Sequence, residues 1–135
     1  MNPVVLVPVK AFADAKARLA PALAPHHRAA LARWTADRVL AAAGELPVFV
    51  ACDDEAVAQW ATQHGATVLW HPGVGLNAAV NRSILELRER GVAHVVVAHG
   101  DLPRAVDLSA TVMPGSVTLV PDSRSDGTNV AALPT

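Results

Sequence analysis

A chain of 135 residues is about one domain's worth, and with 52% hydrophobic and 17% charged residues it can build a core and is too apolar for disorder. A net charge of −1 argues against a duplex-binding protein that relies on a broad basic surface. Cys52 is the single cysteine, which excludes an internal disulfide and a cysteine zinc cluster.

The start, Met1 to Pro8, lacks a basic n-region and holds two prolines, so it does not read as a signal peptide. No apolar run approaches the roughly 20 residues of a membrane helix. Cytoplasm is the expected location, with neither membrane nor nucleic acid as a partner. Residues 4–9, V-V-L-V-P-V, read as a strand buried on both faces, as parallel strands are. Lys10 follows at its carboxyl end, and Asp14 is a candidate cap for a turn holding Lys16, Arg18 and Leu19. Lys16 and Arg18 lie two apart, so an ideal helix would not put them on one face. On a loop entering a helix both could reach one polyphosphate; a solvated basic loop is the plainer reading. Neither G-x-x-x-x-G-K-[ST] nor G-x-G-x-x-G is present.

Pro25 opens a predicted helix to about Ala43, with Ala32, Ala36, Val39, Leu40 and Ala43 at helical spacing and Gly44 as its stop. His26 and His27 read as surface residues and Trp34 as packing. A strand at Val48 to Cys52 ends in Asp53-Asp54-Glu55. Acidic residues suit the first turn of a helix, so this cluster reads as capping rather than as a metal site. Val57, Trp60 and Ala61 give that helix its buried face, and Gly65 ends it.

Ala66 to Trp70 is a third strand, followed by the loop H-P-G-V-G-L-N. Asn77 is expected to cap a helix through Arg90, with Val80, Ile84 and Leu87 inward and Gly91 past the end. The glycines would let backbone amides approach a ligand, or simply make a turn. Val95 to Ala98 is a short β-branched run, read as a buried strand that delivers Asp101 into a turn sealed by Pro103. Ligands of open α/β sheets sit beyond the carboxyl ends of the strands, which is where Asp101 falls. It suits a hard cation carrying phosphates, or it caps the next short helix; both readings stand. That helix is expected around Val106 to Val112, then a turn at Pro114-Gly115, a strand at Val117 to Pro121 and another at Val130 to Leu133. Asp126-Gly127 between the last two is a hairpin signal. Alternating strands and helices define an α/β fold with a mostly parallel sheet.

Charge is unevenly spread. Residues 1–45 carry Lys10, Lys16, Arg18, Arg28, Arg33 and Arg38, whereas residues 91–135 carry Asp101, Asp107, Asp122 and Asp126. A basic start brought against an acidic end would suit a metal–phosphate ligand.

Five segments, P-V-K at 8–10, A-K-A-R-L at 15–19, P-G-V-G-L-N at 72–77, H-G-D-L-P at 99–103 and P-D-S-R-S-D-G-T-N at 121–129, cover nearly the whole chain in order. Together they resemble the 2-phospholactate guanylyltransferase family, which includes the phosphoenolpyruvate-using enzymes of coenzyme F(420) biosynthesis. The resemblance implies a Rossmann-like α/β/α sandwich of the nucleotide-diphospho-sugar transferase type, with residues 1–135 as one nucleotidyltransferase domain. It implies GTP as co-substrate, Mg²⁺ as cofactor and a phosphorylated three-carbon acid as acceptor. By the same resemblance Lys10, Lys16 and Arg18 contact the GTP phosphates, with Lys16, Arg18 and Asp101 as the catalytic set. Pro72, Gly75, Leu76 and Asn77 line the guanosine site, Asp101 holds the metal, and Gly127 with Thr128 receives the acid's phosphate.

The sequence departs from the pattern at Ala17, where a serine is common, and at Ser125, where a glycine is common. Family members also continue past the position of Thr135 with a substrate-binding loop and a strand carrying a second metal-binding aspartate. The expectation is therefore a C-terminally truncated domain, a homodimer or partner that supplies the remainder, or a chain without full activity. Two other readings stay open: a nucleotidyltransferase of the same fold acting on a molybdopterin or sugar phosphate, and a nucleotide-binding domain without turnover. The lack of a glycine-rich loop after Val9 counts against the first of these.

Overall fold

The computed structural model describes residues 3–12, 21–22 and 24–98, and the backbone of residues 118–121 and 128–134. Valine-rich stretches form the strands, because β-branched side chains fill a pleated surface well. They are β1 (Val4–Pro8), β2 (Val48–Cys52), β3 (Thr67–Trp70), β4 (His94–Ala98), β5 (Thr118–Pro121) and β6 (Thr128–Pro134). The helices are α1 (Pro25–Ala42), α2 (Glu55–Gln63) and α3 (Leu76–Glu89).

All six strands join one sheet in the order β3-β2-β1-β4-β6-β5. The first four are parallel, with Val5 opposite Val48 on one side of β1 and Val5 opposite Val96 on the other. β6 runs antiparallel to both β4 and β5, so the expected pairing of the last two strands holds. The turn between them, with Asp126 and Gly127, and the expected helix at 106–112 lie outside the described residues.

Alternation along the central strands sorts their side chains to two faces. Val5, Val7, Val9, Val50, Cys52, Val96 and Ala98 pack with Ala32, Ala36 and Val39 of α1 and Val57, Trp60 and Ala61 of α2. Val4, Leu6, Ala51, Leu69, Val95 and Val97 pack with Leu87 of α3, and with Val80 and Ile84 at its margin. This is the expected three-layer α/β/α arrangement. Leu6, Leu69 and Leu87 are each fully buried, at about 1.5–3 kcal/mol apiece.

The punctuation follows the sequence closely. Gly44, Gly65 and Gly91 adopt positive φ just past the ends of α1, α2 and α3. Asp54 caps α2, its Oδ2 accepting from the Val57 amide at 3.1 Å. Trp34 does not pack as expected: it is 50% exposed. The inward stripe of α1 runs through Ala32, Thr35, Ala36 and Val39, which leaves Trp34 outward beneath the Arg38 guanidinium, 5.0 Å from its ring centroid.

Candidate functional site at the carboxyl end of the sheet

The order of strands places a reversal beside β1. The chain moves outward from β1 to β2 and β3, then returns to add β4 on the other side. Such a reversal opens a crevice at the carboxyl ends of the two central strands, where ligands of open α/β sheets bind. Lys10 leaves β1 at this end and is exposed, while Ala98, the last residue of β4, leads in sequence toward Asp101. Because β6 is antiparallel to β4, with Ala98 opposite Val130, its first residue Thr128 also starts at this end. Thr128 pairs with Pro121, so β5 finishes there too.

The loop after β3 leaves the same end of the sheet, at its edge. Gly73 and Gly75 both have positive φ, and Gly75 at φ 77°, ψ 166° occupies a region that essentially only glycine enters. An added Cβ at Gly75 would meet nothing within 4 Å, so backbone conformation rather than space demands glycine. That conformation starts α3 at Leu76, with no side-chain cap. Asn77, expected as the cap, is instead the second helical residue and is exposed. The first helical bond runs from the Ala79 amide to the Gly75 carbonyl at 3.0 Å. The amides of Leu76, Asn77 and Ala78 are thereby left to face outward from the helix start, a setting that favours an anionic or carbonyl ligand.

Two further residues, His71 and Glu86, support this loop, and no spacing rule signals their pairing. His71, largely buried, donates its amide to the Cys52 carbonyl at 3.1 Å, extending the sheet one residue past β3. Its Nε2 approaches Glu86 of α3 to 3.5 Å, and Glu86 also accepts from Arg90 at 2.8 Å. Cys52 itself is buried, and burial pushes its thiol up, with the charges of Asp53 and Asp54 adding to that and a backbone hydrogen bond from Asp54 opposing it. It is an inert core group rather than a nucleophile.

Lys10, Pro72, Gly75, Leu76 and Asn77 thus lie on the two segments that leave the carboxyl ends of β1 and β3, and the backbone of Thr128 begins at the same end. Lys16, Arg18, Asp101 and Gly127 lie outside the described residues. No group of three or more His, Cys, Asp or Glu among the described residues could hold a metal. Asp54 is accounted for by the cap on α2. No described helix is long and apolar enough to cross a membrane.

A sheet reversal with a basic residue and a glycine-rich helix start at one end marks an open α/β sheet with its ligand crevice at that end, and comparison with solved structures narrows the class. The fold matches a protein described as a nucleotide-diphospho-sugar transferase from Desulfovibrio desulfuricans G20, with a TM-score of 0.78 at 12% identity, over 98% of this chain and 63% of that one. It matches a cytidylyltransferase from Leptospira borgpetersenii with a TM-score of 0.66 at 13% identity, over 99% and 60% of the two chains. The class is therefore that of the nucleotide-diphospho-sugar transferase fold.

The sequence is more specific. Residues 3–133 match the family model described as "Guanylyl transferase CofC like". The chain is 34% identical to the phosphoenolpyruvate guanylyltransferase of Sphaerobacter thermophilus, over 98% of this chain and 69% of that protein. It is 33% identical to that of Rubrobacter xylanophilus over the same shares, and 38% identical to that of Mycobacterium sp. strain KMS over 80% and 53%. The chain belongs to the CofC-like guanylyltransferase family, a family of nucleotidyltransferases, and spans between about half and 70% of the length of these relatives.

Proposed function

We propose that this chain is a guanylyltransferase that joins GMP from GTP to a phosphorylated three-carbon acid, releasing pyrophosphate, in coenzyme F(420) biosynthesis. The observation that carries the reading is polarity. Lys10, the Pro72–Asn77 loop and the start of β6 at Thr128 all stand at the end of one sheet where β1, β3 and β4 finish. Relatives named phosphoenolpyruvate guanylyltransferase favour phosphoenolpyruvate over 2-phospholactate as the acid.

The chemistry asks little of acid–base groups. A phosphate monoester has a second pKa near ~6, so the acceptor is largely a dianion at neutral pH and already nucleophilic. Its oxygen attacks the α-phosphorus of GTP; the bond from that phosphorus to the bridging oxygen breaks, and the electron pair leaves with pyrophosphate. What the protein must supply is alignment and charge neutralisation. Lys10, Lys16 and Arg18 serve the triphosphate. The amides at the start of α3, with Pro72, Gly75, Leu76 and Asn77, receive the guanosine. Gly127 and Thr128 receive the acceptor phosphate.

Mg²⁺ fits this donor set, because a single carboxylate, Asp101, together with substrate phosphates suits an ion that keeps few protein ligands. When bound it would supply charge neutralisation between phosphates. Asp101→Asn is expected to reduce activity at least a hundredfold, with an unchanged melting temperature, as measured by GTP-dependent pyrophosphate release across a Mg²⁺ titration. Wild-type turnover in that variant would remove Asp101 from the reaction.

A further inference from the structure

Lys10 is an exposed lysine held between two buried neighbours. Val9 is 7% exposed and donates its amide to the Ala51 carbonyl at 3.0 Å, carrying the β1–β2 pairing one residue past the strand. Phe12, on the other side, is 6% exposed, although the chain has left the sheet. Its ring meets that of Trp60 edge-on, with centroids 5.4 Å apart at 89°, and the Arg33 guanidinium stands 5.2 Å from its centroid. Trp60 is in turn fixed from the far side, its Nε1–H donating to Asp37 Oδ1 at 2.6 Å. His64, the C-cap of α2, approaches the same oxygen to 3.3 Å and contacts the Trp60 carbonyl through Nδ1 at 2.8 Å.

A segment leaving a sheet toward solvent has no need of so many partners from two helices. The contacts of Phe12 do not extend β1; they pin the chain two residues past Lys10, as Val9 pins it one residue before. We propose that Phe12 is a positioning residue: gripped between the Trp60 ring and the Arg33 guanidinium, it fixes the backbone of Lys10 at the mouth of the sheet, ready for a nucleotide phosphate. The inference rests on the reading of Lys10 as a GTP contact. Its physical content is preorganisation. A lysine on a mobile segment must be ordered when ligand binds, whereas one whose flanking residues are already packed gives up less freedom at that moment.

A double-mutant cycle on GTP binding tests this, using Phe12→Ala, Lys10→Ala and the two together, with Phe12→Leu to keep apolar volume without the aromatic contacts. Melting temperature identifies any variant that fails to fold, and Phe12→Leu then takes the place of Phe12→Ala. The expected result is a loss of GTP affinity of about tenfold for each single substitution, with the double variant no weaker than the weaker single. Multiplicative losses, about a hundredfold in the double variant, would overturn the proposal, since Phe12 would then act independently of Lys10. Wild-type affinity in folded Phe12→Ala and Phe12→Leu, with Lys10→Ala weakened, would overturn it alone. Wild-type affinity in Lys10→Ala would overturn the reading of Lys10 beneath it as well, which separates the two failures.

Discussion

Gly75 is the residue on which the candidate site turns. Its backbone, at φ 77° and ψ 166°, lies where a side chain is strained by roughly 1–3 kcal/mol even in open space. Gly75→Ala is therefore expected to lower unfolding free energy by that amount in denaturant titration and to weaken GTP binding, because the start of α3 must shift. An unchanged stability would show that the loop relaxes freely and that the glycine is dispensable. Cys52 makes a different prediction. Its folded-state pKa is raised, so at high pH the unfolded thiol ionises before the folded one, and the folded state then holds more protons. Stability is unaffected by this group below the ordinary thiol value of 9.0 and falls as pH rises above it. Wild type and Cys52→Ala should give parallel stability curves up to that range, then converge or cross as wild type loses more.

At the scale of elements, much was legible because local chemistry decides it. Asp54 lies ahead of Glu55 and the apolar run Val57, Trp60 and Ala61, and it caps α2 as a side-chain acceptor before a helix should. Asp54→Ala should cost about 1 kcal/mol in stability while leaving GTP affinity unchanged; a loss of affinity would instead give the Asp53-Asp54 pair a part in binding. The glycine stops of all three helices were legible for the same reason. The start of α3 was not. Asn77 has the residue type of a cap, but the type says nothing of the φ values at Gly73 and Gly75 that bring the chain into the helix earlier. Trp34 misled similarly: an apolar residue on an amphipathic helix is expected inside, yet the inward stripe of small residues lets α1 lie close to the sheet and leaves the indole outside. The grip on Phe12 was beyond reach, since Asp37, Trp60 and Phe12 come from three segments far apart in sequence and no spacing rule joins them.

For the molecule as a whole, one strand order does two jobs. Setting β1 between β2 and β4 buries the valine-rich centre under α1 and α2 on one face and α3 on the other. It also brings the carboxyl ends of β1 and β4 and the start of β6 to one end of the sheet, because β4 runs parallel to β1 and β6 antiparallel to β4. The alternation of strands and helices implies this layering, since strands joined by helices run parallel with helices covering both faces. It did not give the position of β6, inserted between β4 and β5, which follows from antiparallel pairing rather than from chain order.

GMP transfer to a phosphorylated three-carbon acid can be read from pyrophosphate release from GTP and Mg²⁺, with phosphoenolpyruvate, 2-phospholactate and phosphoglycerate offered separately. Release is expected to require an acid and to be fastest with phosphoenolpyruvate. GTP binding without release under any of the three would contradict it and leave a domain that holds the nucleotide without transferring it.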